Sequence, residues 1–143
     1  MTSKKKEKIV FTKGKKKAAV ARVRIREGHG TIKINGYSID AYEPAHVREI
    51  IMEPITIAKK VLGDNFINTL DIRANVKGGG VSGQAFAVRT AIGKALVEWS
   101  ESEDLKNKFL EYDRSLIIDD VRRKEPKKFL RKGARAKPIK SFR

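Results

Sequence analysis

The 143-residue chain contains no cysteine and only two histidines. The absence of cysteine excludes disulfide bonds, thiolate nucleophiles and cysteine-ligated zinc sites, and His29 and His46 are too widely separated to suggest a metal centre. We therefore expect neither a metal nor another cofactor. No apolar run approaches the roughly 20 residues of a membrane span, and the start MTSKKKEK lacks the apolar stretch of a signal peptide. These absences predict a cytoplasmic protein without a membrane partner.

Motifs for catalysis are also missing. The sequence has no nucleophile elbow, no H-E-x-x-H and no Walker lysine loop, and Lys94 falls within a predicted helix. Asp119 and Asp120 form a carboxylate pair, but in a charged region where a solvated turn or local pairing with Arg122 and Arg123 is the ordinary explanation. We therefore do not expect an enzyme.

Positive charge is concentrated at the two ends of the chain. The net charge is +16, yet residues 1–26 and residues 121–143 each hold 11 Lys and Arg against a single acid. The residues between them carry a net negative charge. This distribution suits a body whose basic extensions contact a polyanion, and nucleic acid is the leading candidate. For the lysines at the start of the sequence, the alternative to a contact with nucleic acid is a solvated N-terminal segment.

The chain divides by composition into three parts. Residues 1–7 are predicted to be a disordered basic start, residues 8–120 a globular domain, and residues 121–143 an extended basic tail (the tail). The tail mixes cations with apolar residues, prolines and a glycine, so it cannot bury a core and is suited to lie along a partner. Its predicted RNA contacts are Arg122, Arg123, Lys127, Lys128, Arg131, Lys132, Arg135, Lys137, Lys140, Phe142 and Arg143.

Hydrophobic periodicity predicts an α+β domain with a four-stranded mixed sheet backed by helices. Strands are expected at 8–12, 18–26, 31–36 and 69–76, with the second and third joined as a hairpin. In the second strand, Ala19, Ala21, Val23 and Ile25 alternate with Arg22, Arg24 and Arg26, so one face is apolar and the other cationic. Helices are expected from Pro44 to a break at Pro54, onward to Gly63, over 82–100, and after a Ser102 cap.

Lysines cluster in TKGKKK, residues 12–17, which the strand assignment makes a loop. Lys13, Lys15, Lys16 and Lys17 surround Gly14, and Arg22 and Arg24 follow on the next strand. A solvated loop is the simple interpretation. Because the arginines lie beside the lysines, we favour a loop that contacts RNA phosphates.

Glycines in NVKGGGVSG, residues 75–83, have the G-x-G-x-x-G spacing of a dinucleotide-binding turn. A strand precedes them and a helix follows, but no second parallel strand with an acidic residue follows about 20 positions later. A dinucleotide cofactor is therefore not expected. Lys77, Gly78 and Gly79 remain candidates for an RNA phosphate at a helix N-terminus, with a tight ligand-free connection as the alternative.

Several segments together resemble the universal small-subunit ribosomal protein S nine family. They are GKKKAAVARV at 14–23, GTIKING at 30–36, the glycine segment continuing to GKAL at 93–96, YDRSLIIDDVRRKEPKKF at 112–129 and GARAKPIKSFR at 133–143. The resemblance covers nearly the whole chain. The ending Ser141-Phe142-Arg143 is similar to the archaeal and eukaryotic branch; Phe142 stands where the bacterial pattern has lysine, which favours stacking over a lysine–phosphate contact there.

This resemblance implies a structural constituent of the small ribosomal subunit. It implies a fold like the second domain of ribosomal protein S five, with a left-handed β-α-β crossover. It further implies binding to the 3′ domain of small-subunit ribosomal RNA in the head, beside other head proteins. The tail is implied to reach transfer RNA in the peptidyl site through Lys140, Phe142 and Arg143. Two other classes stay open on the residues alone: a free-standing RNA chaperone and a nucleotide-dependent enzyme.

Overall fold

The computed structural model describes residues 8–141, whose strands form one mixed sheet. The strands are β1 (Ile9–Lys16), β2 (Ala19–Glu27), β3 (Ile32–Ile34), β4 (Tyr37–Ser38) and β5 (Leu70–Lys77). The helices are α1 (Ala45–Leu62), α2 (Asp64–Asn68), α3 (Val81–Ser100) and α4 (Glu103–Tyr112), with 3-10 turns at Ile39–Ala41 and Arg114–Leu116. The α+β class is as predicted.

The sheet has five strands, so the prediction of four is wrong. The additional strand β4 is only two residues long and pairs antiparallel with β3. Asn35 and Gly36, both at positive φ, form the tight turn between them, as the Asn-Gly dipeptide favours in two-residue hairpins. A two-residue strand shows no alternation, so periodicity alone could not reveal it.

The predicted hairpin between the second and third strands is also wrong. The strand order is β1-β2-β5-β3-β4, so β5 lies between β2 and β3, antiparallel to β2 and parallel to β3. The connection between β2 and β3 crosses the end of β5 and is held by Asp71. Its carboxylate accepts hydrogen bonds from the backbone N–H groups of His29 (3.1 Å) and Thr31 (3.3 Å) and from the Thr31 hydroxyl (2.7 Å).

All the long helices pack on one face of the sheet. The inward residues of β2 and β5 are buried, as the alternation predicted, and α3 packs across β1 and β2 with α1 beside it. Strand β1 and helix α3 approach closely at Gly14, where an added Cβ would lie 2.2 Å from the Ala87 carbonyl oxygen. The opposite face of the central strands has no helix over it within residues 8–141.

Two helix predictions need correction and one is confirmed. Helix α1 continues through Pro54, which is buried within it, rather than breaking there, because packing of the surrounding apolar residues outweighs the lost hydrogen bond. The short helix α2 was not predicted. Ser102 caps α4 as predicted, and its hydroxyl accepts a hydrogen bond from the Leu105 N–H at 3.4 Å. No helix in the described range is long and apolar enough to span a membrane.

Candidate nucleic-acid interface

The uncovered side of the sheet presents a dense group of cations. Strand register aligns alternate residues of β1, β2, β5 and β3 on this side, in rows such as Lys13–Arg22–Asn75 and Phe11–Arg24–Arg73–Lys33. We call this surface the open face and define it by its seven cations: Lys13, Lys15, Arg22, Arg24, Lys33, Arg73 and Lys77.

These seven cations have no acidic partners within the described chain, whereas Arg26, on the same side at the end of β2, pairs with Asp71 at 3.3 Å. Every ion pair found among residues 8–141 involves other residues. Unneutralised cations at strand spacing, about 4.8 Å apart across the sheet, set up a local positive potential. The surface is therefore arranged to attract a polyanion such as a nucleic acid backbone.

The lysine-rich segment is a strand and not the loop that was predicted. Lys13, Lys15 and Lys16 belong to β1, and the turn to β2 consists only of Lys17 and Ala18. Consecutive lysines hid the alternation, in which the partly or fully buried Thr12, Gly14 and Lys16 take the helix side. The Lys16 ammonium lies 5.2 Å from the Phe86 ring centroid and 3.6 Å from Asp120. Lys16 thus belongs to the packed side, while Lys13 and Lys15 join the open face.

Arg22 and Arg24 lie on the open face, where the alternation of β2 placed them. Three residues on this side of the sheet were not predicted from the sequence as site residues: Phe11 and the open-face cations Lys33 and Arg73. The signal for Arg73 was available, because alternation in TLDIRANV puts Asp71, Arg73 and Asn75 opposite the apolar positions. Their grouping could not be foreseen, since it depends on β5 lying between β2 and β3.

The glycine turn is built around backbone packing. Gly78 and Gly79 have φ values of 80° and 68°, and a Cβ on Gly78 would lie 2.6 Å from the Ala18 carbonyl oxygen. This close approach to the β1–β2 turn accounts for the first two glycines without a ligand. Lys77 is exposed at the end of β5 on the open face. Among residues 8–141 no strand follows α3, so the second half of a dinucleotide fingerprint is missing.

The chain just before the tail is fastened to β1 and α3 by Asp119 and Asp120. Asp119 accepts a hydrogen bond from the Lys15 backbone N–H (3.1 Å) and pairs with the Lys94 ammonium (2.7 Å), while the Asp120 N–H donates to the Lys15 carbonyl (3.2 Å). We call these contacts the tail clasp. The Asp120 carboxylate also receives the Arg122 guanidinium at 2.9 Å. These bonds from Arg122 hold the pKa of Asp120 well below its usual range.

Beyond the clasp, the described tail has neither helix nor strand and its residues are mostly exposed. The pair between Arg135 and Glu125, at 2.8 Å, is solvent-exposed. Of the predicted tail residues, Arg122 lines a depression together with Lys15 of the open face. Arg122 and Arg123, with Lys124, line a second depression beside Lys17 and Ala18. The remaining cations within the described tail are all exposed: Lys127, Lys128, Arg131, Lys132, Arg135, Lys137 and Lys140. The predicted contacts Phe142 and Arg143 lie outside the described residues.

An ion cluster around the buried Arg89 joins the helices and has a structural role. The Arg89 side chain of α3 is 4% exposed and pairs with Glu53 of α1 and with Asp113 at 2.9 Å, while Ser115 accepts a further hydrogen bond at 2.8 Å. The buried Arg89 guanidinium is thus paired with two carboxylates, which is the arrangement a buried charge needs. Within the described range no group of acidic and histidine side chains could hold a metal ion.

These features define a class: a small α+β protein that combines an open cationic sheet face with a basic tail. The ribosomal protein S9/S16 family matches residues 14–143. Relatives named small ribosomal subunit protein uS9 include those of Methanothrix thermoacetophila (45% identical over 95% of this chain and 99% of the relative) and Thermoplasma acidophilum (48% over 94% and 100%). That of Methanococcus maripaludis is 44% identical over 95% and 99%. The chain belongs to the ribosomal protein S9/S16 family, and is a structural protein rather than an enzyme.

Proposed function

We propose that this protein is a structural constituent of the small ribosomal subunit that binds ribosomal RNA through its open face and its tail. The observation that carries the proposal is the open face itself, with seven cations and no acidic partner among the described residues. An RNA backbone supplies the missing negative charges at comparable density. The names of the relatives, which are small-subunit proteins, support the same assignment.

The proposed binding sites are built from the residues that the sequence predicts to contact RNA. Lys13, Lys15, Arg22, Arg24 and Lys77 act on the open face. Lys16, Lys17, Gly78 and Gly79 lie around the β1–β2 turn, where Lys17 and the glycines offer contacts to a neighbouring RNA strand. The tail supplies Arg122, Arg123, Lys127, Lys128, Arg131, Lys132, Arg135 and Lys137. All these contacts recognise the phosphates and the shape of the RNA, so recognition of its base sequence is not needed.

The finer proposal places the protein in the head of the subunit, on the 3′ domain of the RNA, beside other head proteins. Its fold is proposed to be like the second domain of ribosomal protein S five, with a left-handed crossover from β3 through α1 to β5. The tail is proposed to reach transfer RNA in the peptidyl site, with Lys140, Phe142 and Arg143 at the contact. The positive charge at the end of the tail is proposed to strengthen the binding of the transfer RNA electrostatically, without taking part in a chemical step.

The structure suggests how the body directs the tail. The tail clasp fixes the chain at Asp119 and Asp120 against β1, so the tail leaves the body at a defined point near the β1–β2 turn. Fixing one end of a flexible cationic segment raises its effective concentration near RNA already held by the body. The tail residues beyond the clasp then become ordered along the RNA as their side chains pair with phosphates.

The first test is sedimentation of a native lysate through sucrose gradients at rising salt, with the tagged protein followed by antibody. We expect the full chain to remain in the small-subunit peak through moderate salt. Early release, or distribution over many RNA particles, would favour a free RNA chaperone. A thermal-shift screen with dinucleotides tests the enzyme alternative, for which a ligand-dependent rise in melting temperature is required.

The transfer RNA contact has its own test. Small subunits carrying a chain that lacks residues 138–143 should bind peptidyl-site transfer RNA more weakly than subunits with the full chain, while retaining the protein in the particle. A chain with Lys127 and Lys128 changed to Gln is the control for loss of tail charge away from the tip. Unchanged transfer RNA affinity after the deletion would contradict the contact.

A further inference from the structure

One row of the open face differs in composition from the others. Phe11 of β1 pairs with Arg24 of β2, Arg24 pairs with Arg73 of β5, and Arg73 pairs with Lys33 of β3. The row therefore runs from an aromatic ring at the edge of the sheet across three cations. At about 4.8 Å between strands, it spans roughly 14 Å. A ring beside a line of cations has the parts of a nucleotide-binding surface, one for a base and the others for phosphates.

The Phe11 ring is unusually accessible for a residue within a long strand. Phe11 is 70% exposed, and none of the cation–ring contacts found among residues 8–141 involves it. Phe86, by contrast, lies on the helix side, is only partly exposed and lies against Lys16 and Arg89. Within the described chain, the Phe11 ring is free to receive a flat partner.

The surface next to Phe11 is concave. Phe11 lines a depression of about 580 Å³ together with Arg22, Arg24, Lys33 and Arg73, a volume in the range of roughly 300–1,000 Å³ for small-molecule sites. The Asn75 side chain also lines it and can donate to or accept from the edge of a base. No carboxylate is among its lining residues, so the chemistry favours an anion and disfavours a basic protein segment.

We propose that an unpaired RNA nucleotide binds in this depression, with its base stacked on Phe11 and adjacent phosphates held by Arg24, Arg73 and Lys33. The inference rests on the proposed RNA-binding function and specifies its ligand as a single-stranded or bulged nucleotide. A base inside a duplex has both faces covered by its neighbours and cannot stack on the ring. The open face thus distinguishes unpaired from paired RNA through Phe11 alone, while its cations hold either.

The test compares Phe11→Ala with Phe11→Tyr in the full-length protein. The matched control is Ile9→Ala, which removes a second exposed apolar side chain (42% exposed) from the same face of β1. Fluorescence anisotropy measures binding to a labelled 12-nucleotide single-stranded RNA, to the same strand in a duplex, and to an acidic peptide of equal charge, each across a series of salt concentrations. A second measurement maps photo-crosslinks from a 4-thiouridine-substituted strand by mass spectrometry.

We expect Phe11→Ala to weaken single-strand binding about tenfold, as loss of one stacked base does. Its salt dependence and its duplex affinity should equal those of the wild type, and Phe11→Tyr and Ile9→Ala should bind normally. Crosslinks should include Phe11. Unchanged single-strand affinity in Phe11→Ala, an equal loss on duplex or on the acidic peptide, or crosslinks confined to other segments would overturn the stacking site. Salt-insensitive binding by the wild-type protein would instead refute the proposed function.

Discussion

Gly14→Ala tests the contact that holds the cationic edge strand to the body. An added Cβ at position 14 would lie 2.2 Å from the Ala87 carbonyl oxygen and 2.6 Å from the Ala91 nitrogen, whereas ordinary contacts begin near 3.4 Å. Strand β1 and helix α3 must therefore separate by about 1 Å. Both opposing atoms belong to the backbone of a helix, so no side chain can rotate away to relieve the clash.

The expected effect is a large loss of stability. Overpacking a core typically costs about 1–3 kcal/mol, and a clash with helix backbone places this variant at the upper end, about 3 kcal/mol. For a domain of this size that predicts a melting temperature lower by roughly 10 °C. Urea unfolding followed by circular dichroism measures the change, which should appear in the midpoint with the slope preserved.

Gly83→Ala is the control, since a Cβ there would meet only Ala19 Cβ at 3.8 Å and the Lys16 oxygen at 4.0 Å. Within α3 this change should leave stability equal or higher by up to about 1 kcal/mol, because alanine favours helix. A Gly14→Ala protein as stable as the wild type would refute the close approach of β1 to α3, and with it the placement of the open face.

Three further predictions concern charged groups. Asp71→Asn should lower stability at neutral pH by about 1–3 kcal/mol. The Thr31 hydroxyl and the His29 N–H lower the Asp71 pKa, so the stabilisation is complete above the unfolded-state pKa of about 3.9 and is lost as the pH falls below it; urea unfolding at several pH values measures this. Asp119→Asn should loosen the tail clasp and speed tryptic cleavage after Arg122 several-fold. Arg24→Gln combined with Arg73→Gln should reduce the slope of log affinity for RNA against log salt by roughly 1.4–1.8, as measured by anisotropy.

Each of the three has a contradictory outcome. A constant stability difference between Asp71→Asn and wild type down to about pH 2 would show that the charge of the Asp71 carboxylate does not stabilise the fold. Cleavage of Asp119→Asn at the wild-type rate, with Glu125→Gln as control, would show that the tail clasp does not order the first residues of the tail. An undiminished salt slope in the double variant, or an equal reduction in Lys106→Gln with Lys108→Gln on α4, would refute the open face as the RNA surface.

The local elements were largely predictable because their patterns are local. The alternation in β2 and β5, the apolar spacing in α3 and the cap at Ser102 each depend on neighbouring residues, and each is confirmed. The predictions that were wrong concern segments whose conformation depends on contacts with distant parts of the chain. Pro54 is kept helical by packing of α1 on its neighbours, and lysines at 13, 15 and 16 are held in a strand by pairing with β2.

The candidate site depends even more on long-range contacts than the secondary structure does, because the order of the strands brings its residues together. Arg24 and Arg73 are 49 positions apart in the sequence, and nothing local to either indicates that they are partners. They become neighbours only because β5 inserts between β2 and β3, which the Asp71 carboxylate favours by holding the connection across the end of the sheet. The two basic ends visible in the composition therefore understate the proposed RNA-binding surface. The neutral-to-acidic middle contributes Lys33, Arg73 and Lys77 to it, through a topology that a hairpin between β2 and β3 would have prevented.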